Sequence, residues 1–175
     1  MTELVPEPLT KAAFAPFGTV IELDGAETFM INEGTTQRFH ALASLDVQAD
    51  EGEGILSVFR ASAHTFPIEL SMMECHPLGS QAFVPLNQDA PWLVVVAPGP
   101  LPTAETCRAF IARGDQGVQY ARGVWHHPLL SLTDNADFLV ADRKGPGENL
   151  QEVAFDGAPA VIRLDAFSRS LEGTS

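Results

Sequence analysis

The chain has 175 residues and a formal net charge of −13, with 45% hydrophobic and 19% charged residues. That length supports a single domain over residues 1–175 with a substantial core, and the composition excludes a disordered chain. The acidic balance disfavours nucleic acid and anionic membrane surfaces as partners, so an anionic ligand must be held by a local cluster of the few basic residues.

The N-terminal stretch MTELVPEPLTK lacks the basic start and apolar run of a signal peptide. The longest apolar run, Trp92 to Ala97, falls far short of the ~18 residues of a membrane span. Cys75 and Cys107 are too few for a disulfide framework and too isolated for a CxxC site. A cytoplasmic protein with reduced thiols is the expectation.

In chain order, Thr10 caps a short helix in KAAFAPF, which Pro16 limits and Gly18 closes. Strands are then predicted over residues 55–60, 81–86, 92–97, 107–112, 124–132, 137–142 and 160–164. The acidic segment 46–54 reads as a solvated loop, and RGDQG (113–117) and KGPG (144–147) as turns. From Phe167 the chain is small and polar, so a loose tail is expected. Strand after strand with no intervening helical pattern predicts a mainly β fold, an antiparallel sandwich or barrel.

Three of the five histidines fall in two stretches, MMECHPLGSQAF (72–83) and YARGVWHHPL (120–129). Read as a strand, the first turns Glu74 and His76 to one face and Cys75 to the other. HPLGS then makes a turn, with Pro77 fixing φ and Gly79 permitting an unusual one. His126 lies on a later strand that can close over the same cavity, while His127 faces away. A carboxylate, two imidazoles and the Gln81 amide make either a mixed N/O metal site or a metal-free acid–base constellation. His127 reads as structural, His64 as a surface loop residue, Trp92 and Trp125 as core or cavity wall, Cys75 as an inert buried thiol, and His40 as undecided between a backbone contact and the barrel mouth. Arg143 reads as the holder of a turn or of a dimer contact.

Glu74-x-His76-x4-Gln81 has the spacing of the first cupin motif, with Glu and Gln where His and Glu are usual. Gly123-x2-His126 has that of the second, with Ala121 in place of its proline and Leu130 in place of its asparagine. The chain therefore resembles a degenerate cupin. The blocks FMINEGTTQRFHALA (29–43), HPLGSQAFVPL (76–86), GVQYARGVWHHPL (117–129) and DFLVADRKG (137–145) resemble one family more closely, the ureidoglycolate lyases.

That resemblance implies a cupin-like antiparallel β-barrel or jelly roll with a short N-terminal helix, and a homodimer. It further implies cleavage of (S)-ureidoglycolate to glyoxylate and urea. The reaction needs a base, an acid and a positive group for the carboxylate. His76, His126 and Glu74 are the candidate catalytic residues, and Gln81, Arg60 and Arg38 the candidate substrate-binding ones, with Arg122 a weaker choice. Glu74, His76, Gln81 and His126 are also candidate metal ligands. No redox or nucleotide cofactor is required; the candidate cofactor is a divalent metal, Ni2+ first, otherwise Zn2+ or Mn2+. The alternatives are another small metal-dependent cupin enzyme, a dioxygenase or epimerase, and a non-catalytic carboxylate-binding barrel.

Overall fold

Burial along one strand decides the layering. Every residue of Trp92–Ala97 is buried. Trp92, Val94 and Val96 enter one apolar core, and Leu93, Val95 and Ala97 another. Because successive side chains leave opposite faces, such a strand has no solvent face and must form part of a middle layer. Burying each large side chain here stabilises the fold by ~1.5–3 kcal/mol.

The computed structural model describes residues 1–87 and 89–172 and shows those layers. The middle layer is a six-stranded sheet in the order Gln151–Ala154, Met72–Cys75, Trp125–His126, Trp92–Ala97, Arg108–Ala112, Glu7–Pro8. On one side lies a five-stranded sheet in the order Gly18–Ile21, Gly117–Tyr120, Gln81–Pro85, Ala136–Lys144, Glu53–Ala61. Phe83, Val118, Phe138 and Val140 of that sheet close the inner core against Val94 and Val96. On the other side, Ile68, Leu70, Ala160 and Ile162 of a small three-stranded sheet close the second core. Pairing is antiparallel throughout the two large sheets except where Glu7–Pro8 joins Arg108–Ala112. The result is the mainly β, cupin-like sandwich expected from the sequence; among the described residues no ladder joins the two large sheets into a closed barrel.

The N-terminal helix is Lys11–Phe14, with Thr10 Oγ1 accepting from the Ala13 N–H at 3.2 Å. The strand expected over 124–132 shrinks to Trp125–His126. Pro128 has no N–H for a ladder, and beyond it only a single bridge, Leu93 to Leu130, survives. The tail is the clearest correction. Leu164–Glu172 is a helix in which Ala166 and Phe167 are buried, Phe167 in the outer core and packed on Phe66 at 5.2 Å between ring centroids. An apolar pair on one face outweighs the polar composition of the segment; residues 173–175, the end of the expected tail, lie outside the described residues.

Candidate active site

Two rows of polar side chains face each other between the large sheets. In Met72–Cys75, Met73 and Cys75 enter the outer core, so alternation turns Glu74 inward. Trp125–His126 runs antiparallel beside it, with His126 directly opposite Glu74. Trp125 takes the outer core and His126 the interior, where it is 2% exposed. Across the gap, Gln81 pairs with Tyr120, and the Ala82–Ala141 pair sets Asp142 beside Gln81. The Tyr120 ring stacks on His126 at 4.0 Å and 9°, which joins the two rows.

The turns bring His76 to the same point. Gly123, in the left-handed region at φ 74°, donates its N–H to the His76 carbonyl at 2.9 Å. One backbone hydrogen bond thus ties together the two stretches that carry the histidines. His76 Nδ1 donates to the Asn149 carbonyl at 2.7 Å, and His126 Nδ1 to the Val124 carbonyl at 2.9 Å. With both Nδ1 atoms committed to carbonyls, both Nε2 atoms turn to the centre. His126 Nε2 is buried without a hydrogen-bond partner, 3.5 Å from Glu74 Oε1. His76 Nε2 lies 3.1 Å from Gln81 Oε1. One ligating atom from each of Glu74, His76 and His126 falls within 4.8 Å of the others.

All four inward atoms are electron-pair donors: a carboxylate oxygen, two imidazole nitrogens and an amide carbonyl. Such a set calls for protons or a cation between them. Mixed imidazole and oxygen ligands fit a borderline divalent metal, and carbonyl-anchored Nδ1 atoms are the usual support of metal-binding histidines. The residues present therefore fit a metal.

Burial pushes the Glu74 carboxyl up, but the close approach of His126, with His76 and His127 nearby, holds it below its ordinary value. Burial and the Glu74 charge push the Tyr120 phenol well up, so the ring facing His126 stays neutral. Burial likewise raises Asp142, against the Gln81 side chain alongside it and the charge of His76. His127 is lowered mainly by burial, and its Nδ1 donates to the Pro128 carbonyl at 2.9 Å, which suits a structural role.

The site opens onto a cleft of about 730 Å3 lined by Glu74, Gln81, Phe59, Phe83, His64 and Arg60, among others. Glu74, His76, Gln81 and His126 are thus brought together. Arg60 stands at the rim only: Phe59 points inward against Phe83, and alternation sends Arg60 to the outer face. There its Nε and Nη2 donate to Asp137 at 2.7 and 2.8 Å. Arg38 is not brought to the cleft. It lies on the separate hairpin Glu27–Ile31/Thr36–His40, its guanidinium 5.6 Å from the Phe29 ring centre. Arg122 is held by Asp46, Nε to Oδ2 at 3.0 Å. His40 lines a different pocket, with Lys11 and Glu22.

Arg143 holds turns, as expected: buried, it donates to the carbonyls of Ala49, Asp50 and Pro146. It also explains Gly79. That residue is not among the glycines of positive φ. A Cβ there would lie 2.8 Å from Arg143 Cβ, so close approach and not an unusual φ requires glycine.

Three residues of the site escaped sequence reasoning. Tyr120 and Asp142 sit inside blocks already singled out, and strand alternation from Gln81 outward could have placed both on the inner face. Asn149 acts through its carbonyl and its Oδ1, which accepts from Leu78 N–H at 2.8 Å, and a backbone acceptor leaves no sequence signal.

A family model described as ureidoglycolate lyase matches residues 1–162. The chain is 55% identical to a ureidoglycolate lyase of Pseudomonas syringae pv. syringae (strain B728a) over 163 residues, 93% of this chain and 95% of that one. It is 54% identical to one of Pseudomonas fluorescens (strain Pf0-1) over 156 residues, 89% and 93% of the two chains. It is 55% identical to one of Burkholderia mallei (strain NCTC 10229) over 152 residues, 87% and 89%. Among the described residues no helix is long and apolar enough to cross a membrane.

Proposed function

The chain belongs to the ureidoglycolate lyase family, and from that premise we propose that it cleaves (S)-ureidoglycolate to glyoxylate and urea. The observation that carries the reading is the convergence of Glu74, His76, His126 and Gln81, with Glu74 and Gln81 lining an open cleft.

The substrate carries a hydroxyl and a ureido nitrogen on one carbon. Removing the hydroxyl proton forms the aldehyde carbonyl of glyoxylate as the carbon–nitrogen bond breaks, and the departing nitrogen takes a proton to become urea. The same proton can serve both steps, so no oxidant, reductant or covalent intermediate is needed. We assign the exchange to the Nε2 atoms of His126 and His76, which turn toward Glu74 and Gln81 because their Nδ1 atoms are bound to carbonyls. Glu74, held ionised, stabilises the charged form of His126 across 3.5 Å. Gln81 hydrogen-bonds the substrate, and Arg60 at the rim takes its carboxylate by trading away Asp137. Arg38 has no comparable placement in the chain's own cleft.

A divalent metal, Ni2+ first and otherwise Zn2+ or Mn2+, would be held by Glu74, His76 and His126 with Gln81, and when bound would supply Lewis-acid polarisation of the substrate hydroxyl. The homodimer is part of the same reading and rests on the family alone; the cytoplasmic setting is the expectation drawn from the two free cysteines.

The deciding experiment follows urea, glyoxylate and ammonia separately in metal-stripped protein given (S)-ureidoglycolate, before and after adding Ni2+. Equal urea and glyoxylate are expected, with Ni2+ raising the rate if the ligand set is used. Ammonia in place of urea overturns the lyase chemistry, and no turnover in either condition overturns the assignment of an enzyme.

A further inference from the structure

Asp142 belongs to a block the sequence singles out, yet nothing above gives it a task. Its strand, Ala136–Lys144, alternates Phe138 and Val140 into the inner core, so Asp142 continues that inward face while Arg143 leaves on the other. The Ala82–Ala141 pair places it beside Gln81. The register sets its carboxylate alongside the Gln81 side chain, and its Oδ1 is buried with no hydrogen-bond partner. Gln81 itself is 6% exposed, so its amide has little access to solvent for alternative partners.

A primary amide is directional: one end only donates and the other only accepts. An ionised carboxylate only accepts, so it can bind the Gln81 NH2 and nothing else of that side chain. The amide carbonyl is then forced to the opposite side, where it meets His76 Nε2 at 3.1 Å. His76 has already committed its Nδ1 proton to Asn149, so Nε2 and the amide oxygen meet there as two electron-pair donors. With the amide turned over, its NH2 would cap the Nε2 lone pair and withdraw it from the site.

Building on the lyase reading of this site, we propose that Asp142 is a positioning residue: it fixes the direction of the Gln81 amide and so keeps His76 Nε2 facing a carbonyl oxygen. It acts through Gln81 and touches no reacting atom.

The experiment reads the amide directly and the turnover separately. In 15N-labelled protein, the Gln81 Nε2 protons are expected to show nuclear Overhauser contacts to the Asp142 Hβ atoms and none to the His76 ring. In D142N, whose side chain can donate to the Gln81 oxygen, the pattern should reverse. The same variant should lower kcat by ~10- to 100-fold with little change in KM, since the cleft keeps its shape. D142N/Q81E should recover much of that loss, because a carboxylate at position 81 accepts from both sides and needs no fixed direction. A wild-type amide whose protons lie against His76 overturns the proposal. So does a folded D142N with wild-type contacts and kcat. If D142N does not fold, Q81E carries the comparison: two facing carboxylates should cost activity, and adding D142N should restore it, whereas a double variant no better than Q81E overturns the proposal. Failure of the lyase reading looks different: the wild-type protein would show the expected amide contacts and no turnover.

Discussion

Two pairs, each a carboxylate beside a basic side chain, flank the five-stranded sheet, and they contrast in exposure and in geometry. On the outer face, Arg60 and Asp137 meet directly across a strand pair in a two-pronged bridge of 2.7 and 2.8 Å, with the arginine side chain 67% exposed. On the inner side, His126 and Glu74 sit at 3.5 Å, with the histidine 2% exposed and its Nε2 without a hydrogen-bond partner. Bond geometry alone would rank the outer pair first. Water and salt screen it, however, and exposed pairs of this kind contribute little to stability. The inner pair is loose because each member also faces other groups, and a buried polar atom left open costs free energy that a purely structural residue would not retain. Incomplete satisfaction in a dry place, not good geometry in a wet one, is what singles out the candidate site residues.

The contrast breaks most sharply at His126. His126→Ala is expected to lower kcat by ~10²-fold or more while the circular dichroism spectrum stays native. A folded variant with near-wild-type turnover would remove the inner pair from the chemistry. Glu74→Gln keeps the size and removes the charge; a loss of ~10-fold or more in kcat is expected, with KM little changed, because the carboxylate acts on His126 rather than on the substrate. An effect confined to KM would instead make Glu74 a substrate ligand. At the outer pair, Arg60→Ala should leave kcat nearly intact and raise KM by about tenfold, the size of one charge-assisted hydrogen bond to a carboxylate. An unchanged KM would confine Arg60 to its bridge with Asp137.

Which parts were legible in the sequence follows from what each depends on. Trp92–Ala97 and the Thr10-capped helix were plain because an unbroken apolar run and an N-cap are local signals. Glu74, His76, Gln81 and His126 were legible because their spacing survives on adjacent strands and one turn. Arg60 was placed at the site because a basic residue near a strand end looks available; only the register opposite Asp137 shows that its guanidinium is engaged. The C-terminal helix was missed because its two buried residues, Ala166 and Phe167, are too few to make a periodic pattern, and their partner Phe66 lies a hundred residues earlier in the chain. Asp142 was within reach of strand alternation, whereas Asn149 depends on where two loops meet and acts through a backbone carbonyl, which no local pattern encodes.

The smallest effect sharpens the comparison from the stability side. Arg60 holds the Asp137 carboxyl below its ordinary range, chiefly through their hydrogen bond, which outweighs the little desolvation opposing it. A carboxyl whose folded value is lowered stabilises the fold above its unfolded value, and that contribution disappears as pH falls through the folded one. Asp137→Asn removes the titration. The melting temperature of the wild type should therefore exceed that of D137N slightly near neutrality, and the gap should close as the pH is taken down through and below the ordinary aspartate value. High salt at neutral pH should narrow the same gap, because the arginine side of the bridge is open to solvent. A gap that ignores both acid and salt would mean that Asp137 stabilises the fold by packing, or through Asn87, whose Nδ2 lies 3.5 Å from its carboxylate, and not through the arginine. In that case Arg60 is free to leave Asp137 at no cost to the fold, and its availability to a substrate carboxylate at the cleft rim becomes greater, not less.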